Sequence, residues 1–329
     1  MHPPPSPSGK TLLITGVAGF IGSNLAASAL KSGWQVRGLD DLSSSGERNL
    51  RSIRNEIDFV RADLRDLDSI RTAFRGADCV LHHAALVSVP RSIEDPLTNH
   101  DVNATGTLNV LLAAREAGVR RVIFASSSAV YGEQSVLPIS EDMTANPLSP
   151  YAASKLAGEW YMRIFSRSYG LETVCFRYFN VFGPHQNPDS PYSGVLARFI
   201  LQMIRRERPS IFGDGEQTRD FTYVDDIVRA NLLACSAPAE RVDGRVFNIA
   251  TGRGISLNEI YEVLQRETGF FESPRYLAPR EADIRHSLAD VSAACQLFGS
   301  SPGTDLEEGL RRTVAWYRSQ ESAGRPGGN

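Results

Sequence analysis

Lysine is scarce in this chain. Of 35 basic residues among 329, only Lys10, Lys31 and Lys155 are lysine, and all the others are arginine. Wherever a bare positive charge suffices the chain uses arginine, so a lysine inside a motif carries weight. Cysteine is sparse too. Cys79, Cys175, Cys235 and Cys295 lie far apart with no Cys-x-x-Cys pair, which argues against a disulfide framework and for reduced thiols. An excess of one charge is also missing: 35 basic against 38 acidic residues leave −3, without the basic footprint of a nucleic-acid binder. No apolar run reaches the roughly 18 to 20 residues that span a bilayer. The Pro- and Ser-rich start, Met1 to Lys10, has no apolar leader core. Six histidines, His82-His83 among them, show no zinc spacing, and no G-x-S-x-G elbow appears, so neither a metal nor hydrolase chemistry is expected. The expectation is a globular, cytoplasmic protein with no nucleic-acid or membrane partner.

What is present is an alternation of strand and helix. Thr11 to Thr15 is a short apolar run ending in glycines, as a buried parallel strand does. Ile21, Leu25, Ala29 and Leu30 follow with helical spacing, and Gly33 closes that helix. Strands are predicted at Gln35 to Leu39, Phe59-Val60, Cys79 to Leu81, Val122 to Ala125 and Val174 to Tyr178. One long helix opens at Asp95-Pro96, an N-cap with proline at N1, and another spans Tyr151 to Tyr169 before Gly170. This pattern predicts an α/β fold: a Rossmann-type doubly wound parallel sheet with a smaller mixed α/β C-terminal substrate domain. The first domain is placed at 10–182 and the second at 183–318, after the loop-like Pro184 to Tyr192. Segments at about 222–250 are candidates to return to the first domain, and 1–9 and 319–329 read as tails.

A Gly16-x-x-Gly19-x-x-Gly22 turn follows the first strand and opens the first helix. Glycine lets the backbone turn sharply and approach a pyrophosphate, whose charge then sits on the helix N-terminus. Asp40 ends the next strand, where a carboxylate accepts the adenosine ribose hydroxyls and repels a 2′-phosphate, selecting NAD over NADP. A tight βα turn without ligand, its Asp capping a helix, would use the same residues. Ser8-Gly9-Lys10-Thr11 resembles the end of a P-loop but precedes the strand and has proline at position 4.

Tyr151 and Lys155 stand one helical turn apart on one face. A phenol near pKa 10 is a poor base at neutral pH, and an adjacent ammonium is expected to pull it down. An exposed aromatic–cation contact would use the same spacing. Upstream, Ser126-Ser127-Ser128 ends a strand at the crevice where α/β sheets bind ligands, although serine-rich loops after strands are common.

Together these residues resemble the extended short-chain dehydrogenase/reductase family, most closely its nucleotide-sugar epimerases that act on UDP-N-acetylglucosamine and UDP-hexoses. The resemblance runs from Thr11 to about Trp316. It rests on TGVAGFIG, Asp40, Asp63-Leu64, HHAA at 82–85, Asn103, SSSAVYG, YAASK, RYFNVFGP at 177–184, GDGEQTRDF at 213–221 and READIRHSLAD at 280–290. It implies catalysis by Ser127, Tyr151 as general base and Lys155, which orients the ribose. It implies NAD contacts by Gly16, Gly19, Phe20, Ile21, Gly22, Asp40, Asp63, Leu64, Ala84, Ala85, Asn103 and Tyr178. A UDP-sugar would be gripped by Asn180, Gly194, Val195, Arg219, Arg280 and Asp283, with Ser88, Ser128 and Ser287 at the sugar. Dehydratases of the family carry an acid just after the catalytic hydroxyl; Ser128 and Ala129 stand here instead, so epimerisation at C4 is the implied reaction. A small residue at Ser287, with Ser88 and Arg91, resembles the subgroup that takes N-acetylated sugars. His185 replaces that subgroup's usual arginine, and Leu196-Ala197 lacks its usual proline. A homodimer is implied, built from helices at about 96–117 and 151–169.

Overall fold

The computed structural model describes residues 9–44, 46–187, 194–279, 284–298 and 303–324. Seven strands form one parallel sheet: β1 (Thr11–Thr15), β2 (Gln35–Asp40), β3 (Asp58–Arg61), β4 (Cys79–His82), β5 (Arg121–Ser127), β6 (Glu172–Tyr178) and β7 (Arg245–Ile249). Their order across the sheet is β7-β6-β5-β4-β1-β2-β3. The direction of winding reverses between β1 and β4, and the crevice beyond their carboxyl ends is where such sheets bind ligands.

Each strand feeds two cores because successive side chains point to opposite faces. Leu12 and Ile14 join one cluster while Leu13 joins the other; Cys79 and Leu81 part from Val80 in the same way. Both faces are covered, so the strands read as apolar runs. The first cluster takes Leu25, Ala26 and Ala29 of α1 (Phe20–Lys31). The second takes Ile70 and Phe74 of α2 (Leu67–Phe74), Val110 and Leu111 of α3 (Gly106–Glu116), and Met162 and Phe165 of α4 (Pro150–Tyr169).

Local chemistry sets the ends of α4. The Ser149 hydroxyl accepts from the Ala152 N–H, Pro150 takes the first turn, and Gly170 closes the helix at φ 68°. The helix predicted to run unbroken from Asp95-Pro96 does not. A short helix Pro96–His100 passes into a π turn, Asp101–Thr105, before α3 begins. The extra residue in that turn buries Asn103 against the loop after β4.

Beyond β6 the chain adds α5 (Val195–Ile204), α6 (Val224–Ser236), α7 (Leu257–Thr268) and α8 (Leu306–Gly324). Two-stranded pairs join 181–182 to 222–223, 218–219 to 255–256, and 210–212 to 275–277. Among the described residues no helix is long and apolar enough to cross a membrane.

Candidate active site

The glycine turn is tight enough to require glycine. Gly16 sits at φ 70°, and a Cβ there would stand 2.6 Å from the Ala84 nitrogen. A Cβ on Gly22 would stand 2.1 Å from the Gly16 carbonyl oxygen. Gly19 caps α1 without any side chain, leaving the first-turn N–H groups open to an anion. Phe20 and Ile21 begin that helix, half-buried.

Asp40 holds this turn as well as facing it. One carboxylate oxygen accepts from the Ala18 N–H at 2.9 Å and the other from the Leu42 N–H at 2.8 Å. Burial pushes its carboxyl up, and the two N–H groups oppose that. Each oxygen keeps a lone pair for another donor. Ala84 donates to the Thr15 hydroxyl at 3.2 Å, and half-buried Ala85 follows. Asp63 pairs with Arg65, which pulls its carboxyl down, and Leu64 is buried against Gly106.

Asn103 and Tyr178 are engaged by the protein itself. The Asn103 amide accepts from the Leu86 N–H at 2.8 Å and donates to the Leu86 carbonyl and the Ser154 hydroxyl, so it braces the loop after β4 against α4. The Tyr178 hydroxyl accepts from Asn231 Nδ2 at 2.8 Å and lies 3.1 Å from His83 Nε2. Burial raises the Tyr178 phenol and pulls His83 down to about 3.

Tyr151 opens α4 and Lys155 follows one turn later, both buried. Lys155 Nζ donates to the Ala125 carbonyl at 2.8 Å, lies 4.9 Å from the centroid of the Phe124 ring and 6.0 Å from that of Tyr151. Burial pulls its pKa down to about 7, opposed by Glu159. The expectation that Lys155 would lower the Tyr151 phenol is not met by the protein's own groups. Burial raises Tyr151, and the group that counters it is the Ser127 hydroxyl. The reason is geometric: the ammonium is turned to a carbonyl at the end of β5 and is itself penalised by burial. Ser127 also caps the short helical turn Ser128–Tyr131 by accepting from the Ala129 N–H at 3.2 Å.

Of the residues expected at the substrate, Asn180 is exposed just after β6, and its carbonyl accepts from the Thr222 N–H at 3.0 Å. Arg219 donates to the Thr218 carbonyl at 2.9 Å, and Ser287, half-buried, donates its N–H to that same carbonyl at 3.1 Å. Asp220, which the sequence reading missed, joins this group: its carboxylate accepts from Thr251, Gly252 and Ala289. Asn180, Arg219 and Ser287 are thus brought together. Ser88 and Gly194 stand on separate elements, Ser88 capping the helix Val89–Glu94 through the Arg91 N–H and Gly194 preceding Val195 at the start of α5. Arg280 and Asp283 lie outside the described residues. Ser126, Glu159 and Arg177 were also missed, although Glu159 falls at the same one-turn spacing after Lys155. Among the described residues no three His, Cys, Asp or Glu side chains gather as a metal site.

Residues 12–250 match the NAD dependent epimerase/dehydratase family. The chain belongs to that family. A UDP-glucose 4-epimerase of Mycolicibacterium smegmatis is 40% identical over 313 residues, 94% of this chain and 98% of the relative. Among solved structures, a UDP-N-acetylglucosamine 4-epimerase from Methanobrevibacter ruminantium M1, in complex with UDP-N-acetylmuramic acid, is 39% identical with a TM-score of 0.90, covering 95% of this chain and 99% of that one. The Thermotoga maritima UDP-glucose 4-epimerase with UDP-glucose is 38% identical with a TM-score of 0.89, covering 94% and 99%. Its place among these 4-epimerases makes this family member an isomerase with NAD as cofactor. The residues fit that cofactor: a turn with glycine at its closest approaches, a helix start with no side-chain cap for phosphate, and a carboxylate at the end of β2 with lone pairs to spare.

Proposed function

We propose that the enzyme interconverts C4 epimers of a UDP-sugar, with UDP-GlcNAc and UDP-GalNAc as the preferred pair, UDP-Glc and UDP-Gal as further substrates, and UDP-glucuronate as the alternative. The observation that carries this reading is the Ser127 hydroxyl set against the Tyr151 phenol, beside a lysine buried at the end of β5. When bound, NAD supplies the reversible hydride acceptance that turns the C4 alcohol into a ketone and back. Tyr151 takes the proton from the C4 hydroxyl and later returns it, while Ser127 hydrogen-bonds the same oxygen. Lys155 as ammonium holds the nicotinamide ribose, and the Ser127 hydroxyl is the group that opposes the upward push of burial on the Tyr151 phenol. Gly16, Gly19, Phe20, Ile21, Gly22, Asp40, Asp63, Leu64, Ala84 and Ala85 hold the cofactor, with Asn103 and Tyr178 bracing its walls.

Asn180, Gly194, Val195 and Arg219 grip the diphosphate, joined by Arg280, while Asp283 takes the uridine ribose. Ser88, Ser128 and Ser287 face the sugar, where the small volume of Ser287 leaves room for an acetamido group to turn with the keto sugar. Residues 10–182 serve the cofactor, joined by strand β7, and 183–318 otherwise serve the substrate. The four unpaired cysteines fit a cytoplasmic location.

A homodimer is supported by a stripe on α4, where Ala153, Trp160 and Ile164 are exposed at helical spacing. Leu97, 78% exposed, lies on the neighbouring helix Pro96–His100, which packs on α4. The function is tested by incubating purified protein separately with UDP-GlcNAc, UDP-Glc and UDP-glucuronate and observing the C4 epimers by NMR. Conversion of UDP-Glc alone would refute the role given to Ser287, and conversion of none would refute the reading.

A further inference from the structure

We infer that Glu159 is a positioning residue of the reaction: it holds the strand end that carries Ser127, sustains the charge of Lys155 from one turn below, and couples both through Arg177 to the segment that carries Ser287. The inference rests on the epimerase reading above.

Glu159 follows Lys155 at i+4 on α4, so the two share a face. It is buried, and so is its partner Arg177 on β6, which binds it bidentately at 2.9 and 2.7 Å. The Ser126 hydroxyl donates to the same carboxylate. Ser126 and Arg177 are register partners across β5 and β6, and Ser127 is paired with Tyr178 in the next step. One carboxylate therefore clamps two adjacent strands immediately before the catalytic serine.

The clamp continues outward. Arg177 lies 4.5 Å over the Tyr131 ring and donates to the Glu141 carbonyl at 3.3 Å. Tyr131 donates to Asn248 Oδ1 at 2.6 Å, and Asn248 Nδ2 donates to the carbonyls of Ile139 (2.9 Å) and Asp290 (3.1 Å). Ile139 donates its N–H to the Leu288 carbonyl at 2.8 Å, one residue from Ser287. Every link is a hydrogen bond or a stacked cation, and the chain of contacts joins the reacting end of β5 to the substrate wall.

A buried ion pair is a weak source of stability, since apolar side chains of equal volume often do as well. What an apolar pair could not supply is a fixed negative charge beside Lys155. The groups around that ammonium are Tyr151 and Glu159 on α4, the Ala125 carbonyl and Phe124 ring on β5, His82 at the end of β4 and His83 just after it, with Arg177 tied to Glu159. Both histidines are held neutral by burial, and the phenol is neutral too, so Glu159 is the group that favours the charged lysine.

The test compares wild type with Glu159→Gln, with the double variant Glu159→Gln/Arg177→Gln, which leaves no unpaired guanidinium behind, and with Glu159→Asp, which keeps the charge. The pH dependence of kcat/KM is recorded for each, after melting curves establish folding. The alkaline limb, where Lys155 loses its proton, is expected to move toward acid by about one pH unit in both Gln variants, about a tenfold loss of activity above it, and to stay in place for Glu159→Asp. A uniform loss with the limb unmoved in a folded Gln variant would reduce Glu159 to packing and overturn the inference. The affinity for NAD against pH, measured by calorimetry, gives the same comparison without turnover: its midpoint should move to acid in the Gln variants. If wild type converts no UDP-sugar, the functional reading fails while this measurement still decides the role of Glu159.

Discussion

Tyr151 and Lys155 occupy one face of one helix, yet the lysine ammonium is turned to the Ala125 carbonyl, 2.8 Å away, and stands 6.0 Å from the phenol ring centroid. The pair is therefore a bracket around the end of β5 rather than a direct ion–phenol contact. Its protonation is set by surroundings that disfavour both charged forms, with Ser127 and Glu159 working against burial.

Tyr151→Phe removes the proposed proton carrier while leaving the ring in its buried place. Turnover of the UDP-sugar that wild type converts should fall by about 10² or more, the usual worth of a general base. NAD affinity should change little. An NMR assay of epimer formation checks this, and near-wild-type turnover would remove Tyr151 from the mechanism.

Gly22→Ala should be far more damaging than Gly19→Ala. The added methyl would meet the Gly16 carbonyl oxygen at 2.1 Å in the first case and 3.1 Å in the second. Backbone must shift to admit Gly22→Ala, at a cost of about 1–3 kcal/mol for an overpacked site. Calorimetry and melting curves should show weaker NAD binding and a lower Tm for that variant; equal behaviour of the two would contradict the tight turn.

Acid sensitivity should come in part from His82. Its ring is buried, bonded to the hydroxyls of Thr15 and Thr107, and burial holds its pKa well below the ordinary 6.5. Below pH 6.5 the unfolded chain takes up a proton that the folded chain refuses, so stability falls with pH there and is unaffected above it. The slope is about 1.4 kcal/mol per pH unit while the native ring stays neutral. Denaturant titrations from pH 7 to 5 should show a shallower loss in His82→Asn, and identical slopes would exclude this source.

Trp160→Glu places a charge in the exposed stripe on α4. Wild type should sediment near twice 36.1 kDa and the variant as a monomer. A variant that stays dimeric would move the interface elsewhere.

Much of this protein was legible in its residues because the signals are local. A strand ending in three spaced glycines, a carboxylate at the end of the next strand, and a tyrosine and a lysine four apart each act over one turn or one strand. Boundaries came within a residue or two at Thr11–Thr15, Gln35–Asp40 and Pro150–Tyr169. The π turn at Asp101–Thr105 escaped because nothing in its composition separates it from the helix around it; the need to bury Asn103 beneath the loop after β4 does.

By itself, then, the order of residues determined the alternation of strand and helix, the tight glycine turn and the placing of Tyr151 and Lys155 one turn apart on one helix, since these depend on neighbours within a few positions. Tertiary structure alone decided where the lysine points, which carboxylate answers it and how Arg219 meets Ser287. Those outcomes depend on burial and on hydrogen bonds between residues as far apart as Thr218 and Ser287, whose encounter only the packed sheet and its returning loops create.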